Sequence, residues 1–108
     1  MAVTNQITKN VPYAASNIAA VVRDARFGQQ LEADFVSEEP TANGYRFFYA
    51  RKSTLHRYGR NYKVTLADVG NGTCNITVLT QSRKVTVLFD PKWRDEVGKV
   101  FTIIESLL

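Results

Sequence analysis

From Tyr45 onward the chain alternates between apolar and polar positions. Tyr45, Phe47 and Tyr49 are interleaved with Arg46, Phe48 and Ala50, and Tyr62, Val64 and Leu66 with Lys63, Thr65 and Ala67. Cys74, Ile76 and Val78 form the next such set. A period of two is the mark of a strand that buries one face. Between the last two sets stands DVGNGT, the strongest turn in the chain, because Asn-Gly accepts the positive φ of a tight hairpin. Upstream, Leu31, Ala33 and Phe35 alternate with Glu32, Asp34 and Val36, and EEPTANG reads as a turn punctuated by Pro40 and Gly44. Downstream, TQSRK turns into Val85, Val87 and Phe89.

At both ends the period lengthens. Ile18, Val21, Val22 and Ala25 follow at i, i+3, i+4 and i+7, which predicts a helix from about Tyr13 to Arg26. Pro12 suits its start and Gly28 is placed to end it. AVTNQIT, before it, predicts a short first strand. Near the C-terminus, Asp90 is a good N-cap and Pro91 a good first helical residue. Trp93, Val97, Val100, Phe101, Ile104 and Leu108 then mark an apolar stripe of more than four turns. The fold class expected is α+β: a single antiparallel sheet of four or five strands, with an N-terminal helix and a long C-terminal helix packed on one face.

Composition narrows this further. At 108 residues, 44% hydrophobic and 22% charged, the chain reads as one domain spanning 1–108. Such a length can bury roughly 65% of its unfolded surface without metal or disulfide. No stretch approaches the ~20 apolar residues of a membrane span. The opening MAVTNQITKN lacks the pattern of a secretory leader, and the lone Cys74 fits a reducing compartment, so a cytoplasmic protein is expected. The net charge of +4 is unevenly laid out. Six of the 14 basic residues fall between Arg46 and Lys63, no acid occurs between Glu39 and Asp68, and four of the ten acids lie from Glu32 to Glu39. If the two segments pair as strands, much of the asymmetry cancels across the sheet.

The element order resembles the β-α-β4-α plan of the TATA-binding-protein-like fold, and also a shortened form of the helix-grip plan of START-like lipid-binding domains. It is similar, too, to small bacterial domains of unassigned role that share a basic-aromatic strand, a polar turn into a strand like NYKVTL, and a terminal helix. The resemblance spans nearly the whole chain and rests on element order and spacing, so it implies a fold and carries over no functional residue. The tandem copies and phenylalanine wedges of the TATA-binding protein have no counterpart, since Phe47 and Phe48 are adjacent and point to opposite faces. The additional strands that enlarge a START-like cavity are missing as well.

Three candidate surfaces follow. In RKSTLHRYGRNYK, Arg51, Lys52, Arg57, Arg60 and Lys63 are candidate phosphate contacts, with His56 and Tyr58 as stacking groups for nucleic acid. The alternative is that the stretch is the solvated end of a hairpin, which is the favoured reading because no nucleic-acid signature accompanies it. Tyr45, Phe47, Tyr49 and Tyr62 are candidates to line a pocket for a small apolar ligand beneath Trp93 and Phe101; the alternative is that these rings fill the core. Phe48, Leu79 and Leu88, on the sheet face left open by the helices, are a candidate homodimer surface.

No catalytic, metal or cofactor motif is present. His56 has no ligand partners at metal spacing, and Cys74 reads as a small core hydrophobe. Gly44, Gly59, Gly70 and Gly72 are each explained by turns, and no glycine-rich loop opens a helix as a phosphate cradle requires. The function expected is that of a small non-enzymatic cytoplasmic protein acting through protein contacts as a homodimer. Nucleic-acid binding and small apolar ligand binding are the alternatives, and neither a cofactor nor a membrane is expected.

Overall fold

In the computed structural model, which describes residues 3–54, 59–82 and 93–108, a five-stranded antiparallel sheet carries the described helices on a single face. The elements in chain order are strand β1 (Val3–Val11), helices α1 (Ala15–Arg23) and α2 (Ala25–Leu31), and strands β2 (Asp34–Thr41), β3 (Gly44–Arg51), β4 (Arg60–Gly70) and β5 (Thr73–Ser82). A 3-10 turn, Trp93–Asp95, leads into helix α3 (Glu96–Leu107). The strands lie in the order β1-β5-β4-β3-β2, so the first strand pairs beside the fifth. The expected α+β architecture is the one observed.

The alternating sets define the inner face. Phe47 stands opposite Val64, and Val64 opposite Val78, in one cross-strand row; all three are fully buried. Against this row pack Ile18, Ala19 and Val22 of α1, Phe27 and Leu31 of α2, and Val97, Val100, Phe101 and Ile104 of α3. Each large side chain removed from water in this way contributes about 1.5–3 kcal/mol. Asn71 and Gly72, at φ 58° and 72°, form the two-residue turn between β4 and β5, as the Asn-Gly pair predicts.

Several boundaries differ from the sequence expectation. The first helix does not run from Tyr13 to Arg26. The chain leaves the helix at Asp24, whose ψ of 133° is extended, and restarts as α2 through Gly28 to Leu31. Asp24 caps the new helix by accepting a hydrogen bond from the Arg26 amide at 2.9 Å. Leu31 is therefore a buried helical residue, not the start of a strand. Glu38 to Thr41 belong to β2, and the turn shrinks to Ala42 and Asn43. Pro40 is tolerated there because β2 is an edge strand. β5 continues through Thr80 to Ser82 where a turn was expected. Leu108 is exposed, because α3 ends one residue earlier. The strand expected over Val85, Val87 and Phe89, and the helix start expected at Asp90 and Pro91, lie outside the described residues.

α1 has no side-chain cap of its own. Its first amide, Ala15 N–H, donates instead to Asp68 Oδ1 of β4 at 2.8 Å, which pins the helix end to the sheet.

Candidate ligand site

The break at Asp24 shapes a concavity. Because the chain turns away there, the carbonyl of Val22 is left without a helical partner, and the Tyr49 hydroxyl of β3 donates to it at 2.8 Å in a buried position. Burial, with the nearby Glu38 charge adding to it, pushes the Tyr49 phenol above its ordinary pKa, so it stays a donor. α2 then lies directly over the Tyr49 ring. Gly28 permits this approach: a Cβ there would stand 3.1 Å from the Ala33 carbonyl oxygen and 3.3 Å from Tyr49 Cε1.

Phe27 meets the Tyr49 ring edge-on from the core side at 5.2 Å. Phe35 meets it edge-on from the other side at 5.7 Å, yet Phe35 is 55% exposed. It points to the inner face, opposite Tyr49, but lies on the edge strand, whose residues from Asp34 to Pro40 are all exposed. Between α2 and β2 opens a cavity of about 630 Å³, with Gly28, Ala33, Phe35 and Tyr49 among its walls. One end is closed by Arg23 of α1, whose Nε and Nη2 donate to the two carboxylate oxygens of Glu38 at 2.9 and 2.6 Å. The same guanidinium lies over the rings of Tyr45 and Phe47 at 5.0 and 5.6 Å. Asp24 takes a similar fork from Arg26, which holds its carboxyl at about 2, well below the ordinary 3.8. Arg23 likewise lowers Glu38.

A second polar group lies inside, between β4 and the start of α3. Glu96 is buried; its Oε2 accepts from the Tyr62 hydroxyl at 2.8 Å and its Oε1 from Arg51 Nη2 at 3.3 Å. Burial raises the Tyr62 phenol strongly, and the Glu96 carboxylate raises it further. Arg60 stacks over the ring of Trp93 at 5.0 Å.

These positions rearrange the candidates from the sequence. The rings of Phe47, Tyr62, Trp93 and Phe101 are buried and Tyr45 is partly buried, so they fill space where a pocket was expected, and of that set Tyr49 alone reaches the open cavity. Val97, Val100, Phe101 and Ile104 of α3 belong to the same core cluster as Phe47 and Tyr62. Trp93 is buried as expected, but it packs at the Arg60 end of the sheet and stands outside the core cluster that holds Phe47 and Tyr49.

Of the basic run, Arg51 is nine-tenths buried and Arg60 is buried, both turned to the inner face, whereas Lys63 lies on the outer face and Lys52 is exposed. Those four do not share one surface, and His56, Arg57 and Tyr58 lie outside the described residues. Phe48 and Leu79 do sit together on the outer face, flanking Lys63 in one row; Leu88 lies outside the described residues. The acidic segment neutralises Arg46 through Glu39 at 2.6 Å across the β2–β3 pair. Cys74 is buried, and burial raises its thiol. Among the described residues no group of acids, histidines or cysteines could hold a metal, and no helix is long and apolar enough to cross a membrane.

Glu96 and Phe35 were not singled out in the sequence. Glu96 could have been, because it lies three residues after Trp93 and four before Val100, on the buried stripe.

No protein-family model matches this sequence, and no curated protein does. Solved structures do. Ara h 8.0201 superposes with a TM-score of 0.57 at 11% identity, covering 99% of this chain and 98% of its own. Norcoclaurine synthase from Thalictrum flavum gives a TM-score of 0.54 at 12% identity over 99% of this chain and 86% of its own. A protein of Thermus thermophilus gives 0.51 at 8% identity over 97% and 96%. At such identities the likeness concerns the fold alone, and the fold is START/Bet v 1-like: an antiparallel sheet gripping a C-terminal helix.

Proposed function

We propose that this protein is a small-molecule-binding domain that takes a ring-bearing ligand in the cavity between α2 and β2. One observation carries the reading: beside a tightly filled core, the Phe35 ring stands 55% exposed against Tyr49 as the wall of a cavity of about 630 Å³. That volume lies within the roughly 300–1,000 Å³ of small-ligand sites, and aromatic walls with a polar rim are their usual composition. Four carboxylates line the rim; Asp24, Glu32 and Glu38 pair with Arg26, Lys99 and Arg23, and Asp34 adds a further negative charge, which favours a neutral or cationic ring over an anionic one. The fold supports the reading, since the norcoclaurine synthase was solved with dopamine and hydroxybenzaldehyde, two small aromatic molecules.

Binding without catalysis is the better fit to the rim. That synthase is an enzyme, but here Asp24 and Glu38 are tied to arginines and held ionised, which suits them to holding the rim's shape and not to moving protons. The test is a titration of the 15N-labelled protein with neutral and amine-bearing monocyclic aromatics. Saturable shifts at Gly28, Ala33 and Phe35 are expected; shifts elsewhere, or none, would remove this cavity from consideration.

A second reading, a homodimer joined through the outer sheet face, is favoured by the Phe48–Lys63–Leu79 row on the face that no described helix covers. Light scattering at micromolar concentration decides it. A native monomer would sink it, as would a Phe48→Lys, Leu79→Lys variant that dimerises unchanged.

A further inference from the structure

On the inner face, the row Tyr49–Tyr62 is followed at the end of the sheet by Arg51 opposite Arg60. Arg51 is held there with 9% of its side chain exposed. Its Nη2 donates to Glu96, but its Nε and Nη1 are buried and make no hydrogen bond among the described residues. The nearby carboxylate is already engaged: Oε1 accepts from Arg51 Nη2 and Oε2 from the Tyr62 hydroxyl. A guanidinium cannot shed its charge to escape this, since its pKa lies above 12. Each buried N–H left without an acceptor opposes folding, and more so when it belongs to a cation. Thr80, fully buried and opposite Tyr62 on β5, also has a hydroxyl without a partner among the described residues. The end of the sheet therefore holds two buried guanidinium N–H groups and a buried hydroxyl that have no partner among the described residues.

Arg51 also lines a cavity of about 350 Å³ at this end of the sheet. Lys52, Ser53, Asn61 and Gln81 share its wall, and among the described residues no aspartate or glutamate does. An ammonium, a hydroxyl and two carboxamides can all donate to an oxyanion, and none of them repels one. This is the opposite of the cavity between α2 and β2, whose rim is acidic.

We propose that this second cavity is a binding site for a compact oxyanion, a carboxylate or phosphate group, with Arg51 as its buried anchor and Lys52 as its exposed electrostatic contact. The Nε–H and Nη1–H groups of Arg51 are closed to solvent, so an oxygen of the anion accepts from one of them only as the cavity wall parts, while Glu96, itself held by Tyr62, keeps Nη2 in place. Glu96 is thus a positioning residue and Arg51 the binding one.

The experiment uses the full chain with 15N-labelled arginine, observing the Arg51 Nε–H resonance while acetate, benzoate or inorganic phosphate is added against chloride at constant ionic strength. The carboxylate and phosphate arms separate the two sources of the oxyanion. A saturable shift at Arg51 with a Kd near ~1 mM is expected in at least one arm. Lys52→Ala, at an exposed position, should weaken it about two- to five-fold without unfolding the chain. Arg51→Gln removes the reporting resonance, so in that variant, labelled uniformly with 15N, the amide shifts of Lys52 and Asn61 on the cavity wall should no longer saturate. No saturable shift at Arg51 up to about 50 mM, or shifts confined to other arginines, would overturn the assignment and leave ordered water as the partner of these donors.

Discussion

Tyr62→Phe isolates the contact that ties α3 to the sheet. The substitution removes one hydroxyl and leaves the ring, so the core around β4 keeps its volume and the measurement reports the hydrogen bond to Glu96 Oε2 at 2.8 Å. Both partners are buried and the acceptor is charged, which places the loss at about 1.5–3 kcal/mol. Glu96→Leu should cost more, about 3–5 kcal/mol, because it strands the Arg51 guanidinium with 9% of its side chain exposed. Once Glu96 is gone the Tyr62 hydroxyl has lost its acceptor, so removing it should cost almost nothing further. The two changes should therefore be coupled by about 1.5–3 kcal/mol in a double-mutant cycle. Urea unfolding followed by the fluorescence of the buried Trp93 is the assay, and each single loss should lower the midpoint by roughly 1–2 M or more. A coupling below about 0.5 kcal/mol would mean that α3 does not present Glu96 to Tyr62 in solution, and the reasoning about this end of the sheet would fail.

Other consequences follow from the same contacts. Asp24 is held at about 2 against an ordinary 3.8, so its contribution to stability is complete above about pH 4 and is lost as the pH falls toward 2. Asp24→Asn keeps the cap on α2 but should flatten that part of a melting-temperature profile; an unchanged acid slope would count against the pairing with Arg26. The Tyr62 phenol is raised, so its contribution is present below about pH 10 and is lost as the unfolded chain ionises above it. Absorbance titration should show Tyr49 and Tyr62 ionising above the other tyrosines, and the late step should lose the share of one tyrosine in Tyr62→Phe. Trp93→Ala should cost about 3–5 kcal/mol by denaturant unfolding, and a cost below about 1 kcal/mol would mean that the ring is not buried against Arg60.

What the sequence made legible was the part of the fold governed by local period. β3, β4 and β5 alternate because one face is buried, and the inner sets Phe47–Tyr49, Tyr62–Leu66 and Cys74–Val78 can be picked out from their spacing alone. The Asn71–Gly72 turn was legible because few other residue pairs adopt its φ values. The break between α1 and α2 was not. Gly28 looked like a helix terminator, but its lack of a Cβ serves a close approach to Tyr49, and the break instead uses Asp24 as a cap. That distinction depends on β3, a strand remote from Gly28 in the chain.

The cavity was illegible for the same reason: its walls come from α1, α2, β2 and one residue of β3, and only Tyr49 belonged to the aromatic set first singled out. The alternation of Leu31, Ala33 and Phe35 misled because a helical end and a strand start happened to share a period of two over this short span. The basic run misread in another way. Charge spacing along a strand says nothing of which face is buried, and Arg51 and Arg60 occupy inward positions where apolar residues would be expected.

Phe35→Ala, compared with the native protein in the same ligand titration, tests the binding reading most directly. The side chain is more than half exposed, so folding stability should change by less than about 1 kcal/mol. Removing its ring from a bound ligand's contact surface should cost about 1.5–3 kcal/mol, a loss of roughly tenfold or more in affinity for any aromatic that shifts Gly28 and Ala33. Affinity lost in an intact fold is the expected result. A variant that binds the same molecule with unchanged affinity would contradict the placement of the ligand between α2 and β2.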